Sequence, residues 1–129
     1  MSVVDLRVVR LASLGDAVAR LDAALAQPRT EWTRDAAIQR FEFTFELAWK
    51  SASACVRTEG LDARSPREAF RVAHRLGWVD DDALWLRMLD DRNRTSHSYN
   101  EAVAEEIFSR LPEYAAALRA FRARLLQTV

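Results

Sequence analysis

The feature that most constrains this chain is a long stretch, about residues 35–59, in which apolar side chains recur every three or four positions. They are Ile38, Phe41, Phe45, Ala48, Ala52 and Cys55. This period places them on one face of an α-helix. The nearly even alternation of three and four favours neighbours crossing at about 20°, as in an antiparallel bundle. Phe43, Trp49 and Val56 widen the stripe, which predicts a helix buried on more than one side.

Four further stretches have the same helical period, and none shows the alternation of a strand. They lie at about 4–26, 66–76, 82–91 and 101–129. Pro112 stands inside the last stretch, where it is expected to kink the helix or split it in two. Together they predict an all-α fold: one domain over residues 1–129, built as an antiparallel four- or five-helix up-and-down bundle.

Several helix ends can be located from single residues. Ser65 is a good N-cap, Pro66 suits the first helical position, and Glu68 would complete a capping box. Gly77 is expected to end this short helix. Asn100 is expected to cap the last one, so the residues before it form the connection between the last two helices.

Composition excludes several classes of protein. Nineteen basic residues balance nineteen acidic ones, so nucleic acid could be attracted only by a local patch. The single Cys55 cannot form an internal disulfide, and two histidines with one cysteine argue against a zinc site. No metal or cofactor is expected. Because we find neither a signal peptide nor a run long enough to span a membrane, we expect a cytoplasmic protein without membrane association.

The segment richest in side chains that can take part in catalysis is 92–99. It reads RNRTSHSY and contains one of the two histidines. An arginine can neutralise a phosphate with two parallel hydrogen bonds. A histidine can transfer a proton near neutral pH. Arg92 and His97 are therefore candidate catalytic residues for cleaving a phosphodiester without a metal. The 2′-hydroxyl would distinguish RNA from DNA.

Geometry restricts this hypothesis. On an unbroken helix Arg92 and His97 would lie about 140° apart, so they would not share a face. Either the helix ends near Thr95, or a second copy supplies the partner group across a two-fold axis. In such a homodimer two arginines and two histidines would surround one cleft.

The neighbouring side chains have candidate supporting roles. Asn93 could orient the His97 ring or contact RNA, whereas Ser96 and Tyr99 could contact phosphate or base. The alternative is a solvated charged turn whose polar residues only end one helix and cap the next.

Glu42, Glu46 and Lys50 follow at steps of four on the long helix. One interpretation is an ordinary surface pair worth a few tenths of a kcal/mol. The other is that this face lines the cleft, with Glu46 or Glu42 paired to Arg92 and holding the guanidinium in place.

Arg92 with His97 and Tyr99 resembles the Arg-x4-His-x-Tyr motif of the HEPN superfamily. Three further stretches resemble, in order, the subgroup called nucleotidyltransferase substrate-binding proteins. They are 40–50 (RFEFTFELAWK), 65–73 (SPREAFRVA) and 85–93 (WLRMLDDRN). The resemblance covers most of the chain.

The resemblance implies a dimerising helical bundle and a separate minimal nucleotidyltransferase chain as partner. In related toxin–antitoxin pairs the HEPN chain is a ribonuclease toxin, which the nucleotidyltransferase silences by attaching AMP to the motif tyrosine. Carried over, Arg92 and His97 are catalytic and Tyr99 is the modification target. The alternative is a non-catalytic subunit that binds the nucleotide or substrate of the nucleotidyltransferase.

Overall fold

The computed structural model describes residues 5–97 and 99–129, and five helices account for most of them. They are α1 (Leu6–Leu25), α2 (Glu31–Thr58), α3 (Pro66–Arg75), α4 (Asp82–His97) and α5 (Glu101–Leu126). These ranges contain no strand, so the prediction of an all-α bundle is confirmed. None of the helices in them combines the length and apolarity that crossing a bilayer requires.

The central element of the bundle is α2, which packs against each of the other four helices. Its predicted stripe is buried throughout. A connection of five residues joins α1 to α2, and the two helices pack along each other as an antiparallel hairpin. The long helix α5 packs against both and completes the layer.

Aromatic side chains join the short helices to this layer. The Phe70 ring of α3 lies 4.5 Å from the Trp85 ring of α4 and 5.8 Å from the Phe121 ring of α5, measured between centroids. Phe45 of α2 lies 5.4 Å from Phe70 on the other side. Such aromatic pairs add about 0.5–1.5 kcal/mol each beyond the area that they bury. They hold α4 against the bundle, which matters because α4 carries the candidate motif.

The helix ends largely follow the predictions. Ser65 and Asn100 cap α3 and α5 through their side chains, and Gly77 follows α3 with a φ of 81°. The capping box differs in one bond, since Glu68 accepts from the backbone N–H of Arg64 instead of that of Ser65. The long helix α2 begins four residues earlier than expected, because Thr30 caps it in a reciprocal box with Thr33.

Two expectations were wrong, the split of the last helix at Pro112 as one of two alternatives and the burial of Phe43. Pro112 does not split the last helix, since α5 is continuous from Glu101 to Leu126. Leu111 and Tyr114 on either side are fully buried, and this packing offsets the hydrogen bond that proline cannot donate. Phe43 is not buried but 62% exposed, and Trp32 is 87% exposed. Both lie on the outward face of α2, which no described element covers.

Candidate functional site

The carboxyl-terminal end of α4 carries both candidate catalytic residues. The helix runs through His97, so the alternative in which it ends near Thr95 was wrong. Thr95 stays helical, and its hydroxyl donates to the carbonyl of Arg92 at 2.6 Å. Five helical residues separate Arg92 from His97 by about 140° around the axis. Within one chain the guanidinium and the imidazole therefore leave the helix on different faces.

A carboxylate of α2 holds the Arg92 guanidinium. Arg92 Nη2 lies 2.8 Å from Glu46 Oε2, and Trp49 Nε1 donates to the same oxygen at 3.0 Å. Lys50 Nζ lies 3.5 Å from the other carboxylate oxygen. The Arg92 and Glu46 side chains are each 32% exposed. The guanidinium is thus oriented by a fixed partner while part of it stays open to a ligand.

Three other candidates make fewer contacts. Asn93 Oδ1 accepts from Arg92 Nη1 at 3.4 Å, so the amide faces the guanidinium and not the His97 ring. Glu42 is half-buried and forms no ion pair within the described chain, so of the two carboxylates considered only Glu46 reaches Arg92. Ser96 is exposed at the end of α4.

His97 is the last residue of α4 and is exposed. Its ring forms no hydrogen bond with any residue that the structure describes. The other histidine differs, since His74 Nδ1 lies 2.8 Å from the carbonyl oxygen of Val79. His97 is therefore the histidine whose two ring nitrogens both lack a hydrogen-bond partner within the described residues.

The residue before Arg92 has the opposite environment. Asp91 is 1% exposed and accepts from Tyr114 Oη at 2.5 Å. Arg110 Nη1 lies 2.9 Å from one Asp91 oxygen, and Arg94 Nη1 lies 3.2 Å from the other. Burial and the adjacent Asp91 carboxylate raise the pKa of Tyr114, so this phenol stays a neutral donor. The carboxylate is thereby compensated by two cations and a hydroxyl.

These two adjacent residues fix the rotation of α4. Asp91 joins it to Tyr114 and Arg110 of α5, and Arg92 joins it to Glu46 of α2. Successive helical residues lie about 100° apart, so these contacts lock α4 from two directions. The contacts of Asp91 with α5 therefore also orient Arg92 toward α2.

Tyr99 lies outside α4, in the short connection to α5. Its ring is 45% exposed, and its hydroxyl donates to Asp35 Oδ1 at 2.8 Å. Burial, and then this hydrogen bond, raises the pKa of Tyr99 to about 12. Buried Arg34 holds Asp35 in turn, with its Nε 3.0 Å from the same oxygen. The phenol thus keeps its proton at neutral pH and donates it in a hydrogen bond to the Asp35 carboxylate.

Reasoning from the sequence missed three contributors to this region. Asp35 is 64 positions from Tyr99. Asp91 looked like part of a solvated charged turn. Neither role has a local signal, because Tyr99 lies outside α2 and the Tyr114 and Arg110 partners of Asp91 lie on α5. Trp49 was treated as part of the apolar stripe, although its spacing of three from Glu46 is the one sign that the two side chains meet.

Comparison with known proteins finds a matching family model, a curated relative and similar solved structures. The model of a family described as "Nucleotidyltransferase substrate binding protein like" matches residues 9–127. A Haemophilus influenzae protein named "Probable ribonuclease HepT" is 30% identical over 83 residues, which are 60% of this chain and 57% of that protein. The match thus spans little more than half of that relative.

The fold also has a counterpart among solved structures. A crystal structure of a protein from Thermus thermophilus superposes with a TM-score of 0.81 at 43% sequence identity. The alignment covers 87% of this chain and 98% of the Thermus chain. The helical architecture described above is therefore shared along nearly the whole of that protein.

Proposed function

The chain belongs to the nucleotidyltransferase substrate binding protein-like family, whose relatives are HEPN proteins, and from that premise we propose that it is a metal-independent ribonuclease. We further propose that it works as the HEPN component of a toxin–antitoxin-like pair with a minimal nucleotidyltransferase. The family and the ribonuclease relative support this proposal.

The observation that carries the ribonuclease proposal is the combination of an anchored Arg92 with an accessible His97. Glu46 orients the guanidinium, which would hold the non-bridging oxygens of a phosphodiester as negative charge grows on them. The 2′-oxygen of RNA attacks phosphorus while the bond to the 5′-oxygen breaks, leaving a cyclic phosphate and a 5′-hydroxyl. His97 removes the 2′-hydroxyl proton or protonates the departing oxygen.

Because Arg92 and His97 do not share a face of α4, the proposed site is completed by a second copy of the chain. In a two-fold dimer the Arg92 of one subunit would meet the His97 of the other. The exposed rings of Trp32 and Phe43 support a partner on the outward face of α2. They are separated by three turns on the same side of this helix.

Mixing two inactive variants is expected to restore activity if the site is shared. Arg92→Ala and His97→Ala chains are unfolded, mixed and refolded together, which makes half of the dimers mixed. Each mixed dimer has one complete site, so about one quarter of wild-type RNA cleavage should return. The measurement is cleavage of a labelled RNA in the presence of EDTA.

The controls are Arg92→Ala alone and His97→Ala alone, each unfolded and refolded in the same way. A site formed within one chain would leave the mixture as inactive as its components. That result would contradict the shared site, while cleavage by the wild-type chain in the same assay would still support the ribonuclease.

We propose that Tyr99 is the site at which the nucleotidyltransferase silences the ribonuclease. The phenol oxygen attacks the α-phosphorus of ATP, the bond to pyrophosphate breaks, and Asp35 accepts the phenolic proton. The attached AMP would place bulk and negative charge two residues from His97. Both effects would keep RNA out of the cleft.

Tyr99→Phe is expected to cleave RNA as the wild-type chain does but to escape silencing. The ring remains and only the acceptor oxygen is removed. After incubation with the partner and ATP, mass spectrometry should find AMP on the wild-type chain and none on the variant. Asp35→Asn, which keeps Tyr99 but removes the base, should be modified more slowly. Silencing of Tyr99→Phe by AMP transfer to another residue would show that Tyr99 is not the target.

The description of the family favours a second candidate function, a non-catalytic subunit that binds a nucleotide or substrate for the nucleotidyltransferase. In that case the purified chain binds AMP or ATP saturably, Arg92→Ala weakens the binding, and no RNA is cleaved.

A further inference from the structure

A cleft separate from the Arg92 and His97 side chains lies between α1, the carboxyl-terminal half of α2 and the connection from α2 to α3. Its volume is about 320 Å3. This is near the lower end of the range for small-molecule pockets, roughly 300–1,000 Å3.

Four cationic side chains line this cleft, and no carboxylate does: Arg10, Lys50, Arg57 and Arg64. Two of them have acidic partners nearby. Lys50 Nζ lies 3.5 Å from Glu46, and Arg64 Nε lies 2.7 Å from Asp62. The side chains of Arg10 and Arg57 form no ion pair or hydrogen bond within residues 5–97 and 99–129. The cleft therefore has an excess of positive charge in a chain whose net charge is zero.

The remaining lining suits a base as well as a phosphate. Leu6, Ala54 and Ala63 provide apolar surface, and the partly exposed Trp49 provides an aromatic ring. The indole N–H is held by Glu46, which restrains the ring. A cationic groove next to an aromatic side chain is the usual combination for binding single-stranded nucleic acid.

Lys50 of this cleft is linked to Arg92 of the candidate active site through Glu46. Glu46 contacts Arg92 on one side and Lys50 on the other, so a single carboxylate separates the two cations. Arg57 follows Lys50 by two turns on the same face of α2, about 10 Å further along. The cations thus form a line that leads away from Arg92.

We propose that this cleft binds backbone phosphates of the RNA strand whose scissile bond lies at Arg92 and His97. This inference rests on the proposed ribonuclease function and adds a second contact region for the same substrate. A line of cations that extends from the active site fits a strand better than a single mononucleotide. Because the net charge attracts no polyanion, affinity for RNA depends on such a local patch.

The test compares RNA binding by chains that all carry His97→Ala, so that the RNA stays intact. Binding of a fluorescein-labelled single-stranded RNA is followed by anisotropy at several salt concentrations. Adding Arg10→Ala and Arg57→Ala together is expected to weaken binding at least tenfold. The slope of log K against log salt is negative, and its magnitude should decrease by about 0.7 for each phosphate that the protein no longer neutralises. Arg75→Ala, which removes an exposed arginine of α3 outside the cleft, is the matched control and should change neither quantity.

The result that overturns the inference is RNA affinity and salt dependence that the double substitution leaves unchanged. It is equally overturned if the substitutions abolish binding of AMP while RNA binding stays the same, because the cleft would then hold a free nucleotide. RNA binding that depends on Arg10 and Arg57, together with no RNA cleavage by the wild-type chain, supports the cleft and refutes the ribonuclease. If the wild-type chain cleaves RNA but the double substitution leaves RNA affinity unchanged, only the proposed role of the cleft is refuted.

Discussion

Asp91→Ala is expected to destabilise the protein by about 3 kcal/mol, since removing one partner of a buried charge pair costs roughly 3–5 kcal/mol. The carboxylate is 1% exposed and accepts from Tyr114 and Arg110. Its removal leaves the Tyr114 hydroxyl without this acceptor in the core and Arg110 without its buried partner. The expected loss of stability is at the lower end of this range of roughly 3–5 kcal/mol because the Arg110 side chain is 29% exposed and is partly stabilised by water.

Urea unfolding followed by circular dichroism measures this effect. With a slope of roughly 1–3 kcal/mol per molar urea, the midpoint should fall by about 1–3 M. The adjacent Asp90 is an ideal control, because it has the same chemistry, the same helix and an exposed side chain. Asp90→Ala should change stability by less than about 0.5 kcal/mol. Equal effects of the two substitutions would show that the buried network does not hold α4.

His97→Ala is expected to reduce RNA cleavage by roughly 10²–10⁴-fold, which is the usual contribution of a general acid or base. The ring is exposed and forms no hydrogen bond or ion pair within the described chain. The free energy of unfolding should therefore stay near the wild-type value. Single-turnover cleavage of a labelled RNA in EDTA measures the chemical step.

The second histidine provides the comparison. His74 is on α3, where its ring contacts the carbonyl oxygen of Val79. His74→Ala should retain cleavage even if it lowers stability slightly. Cleavage by His97→Ala at the wild-type rate would remove the imidazole from the mechanism, and other groups would then have to transfer the proton. Only a wild-type chain that cleaves no RNA would favour the non-catalytic subunit.

Short-range features of the fold were readable in the sequence. The steps of three and four along α2 predict its buried face, because side chains at these spacings lie on one side of a helix. Ser65 and Asn100 predict helix starts, since their side chains bond to backbone N–H groups three residues ahead. Pro112 shows the limit of such local signals, because burial on both sides of it keeps α5 continuous.

Part of the candidate site could also be predicted from the sequence. Arg92, His97 and Tyr99 stand out by residue type, spacing and resemblance, and Glu46 was one of two carboxylates considered for Arg92. The structure selects Glu46 over Glu42 and extends α4 through His97. It thereby separates Arg92 and His97 around the helix, and this is the reason for proposing a site shared by two chains.

The sequence by itself determined the five helical stretches and most of their ends, because these depend on interactions within about one helical turn. It also identified the candidate catalytic residues by their type and spacing. Only the tertiary structure decided that Asp91 is buried while Asp90 is exposed, that Arg92 meets Glu46, and that Tyr99 meets Asp35. The contacts of Asp91 with Tyr114, of Arg92 with Glu46 and of Tyr99 with Asp35 each join residues far apart in the chain. They depend on how each helix is rotated and placed against its neighbours, which the packing of the whole core sets.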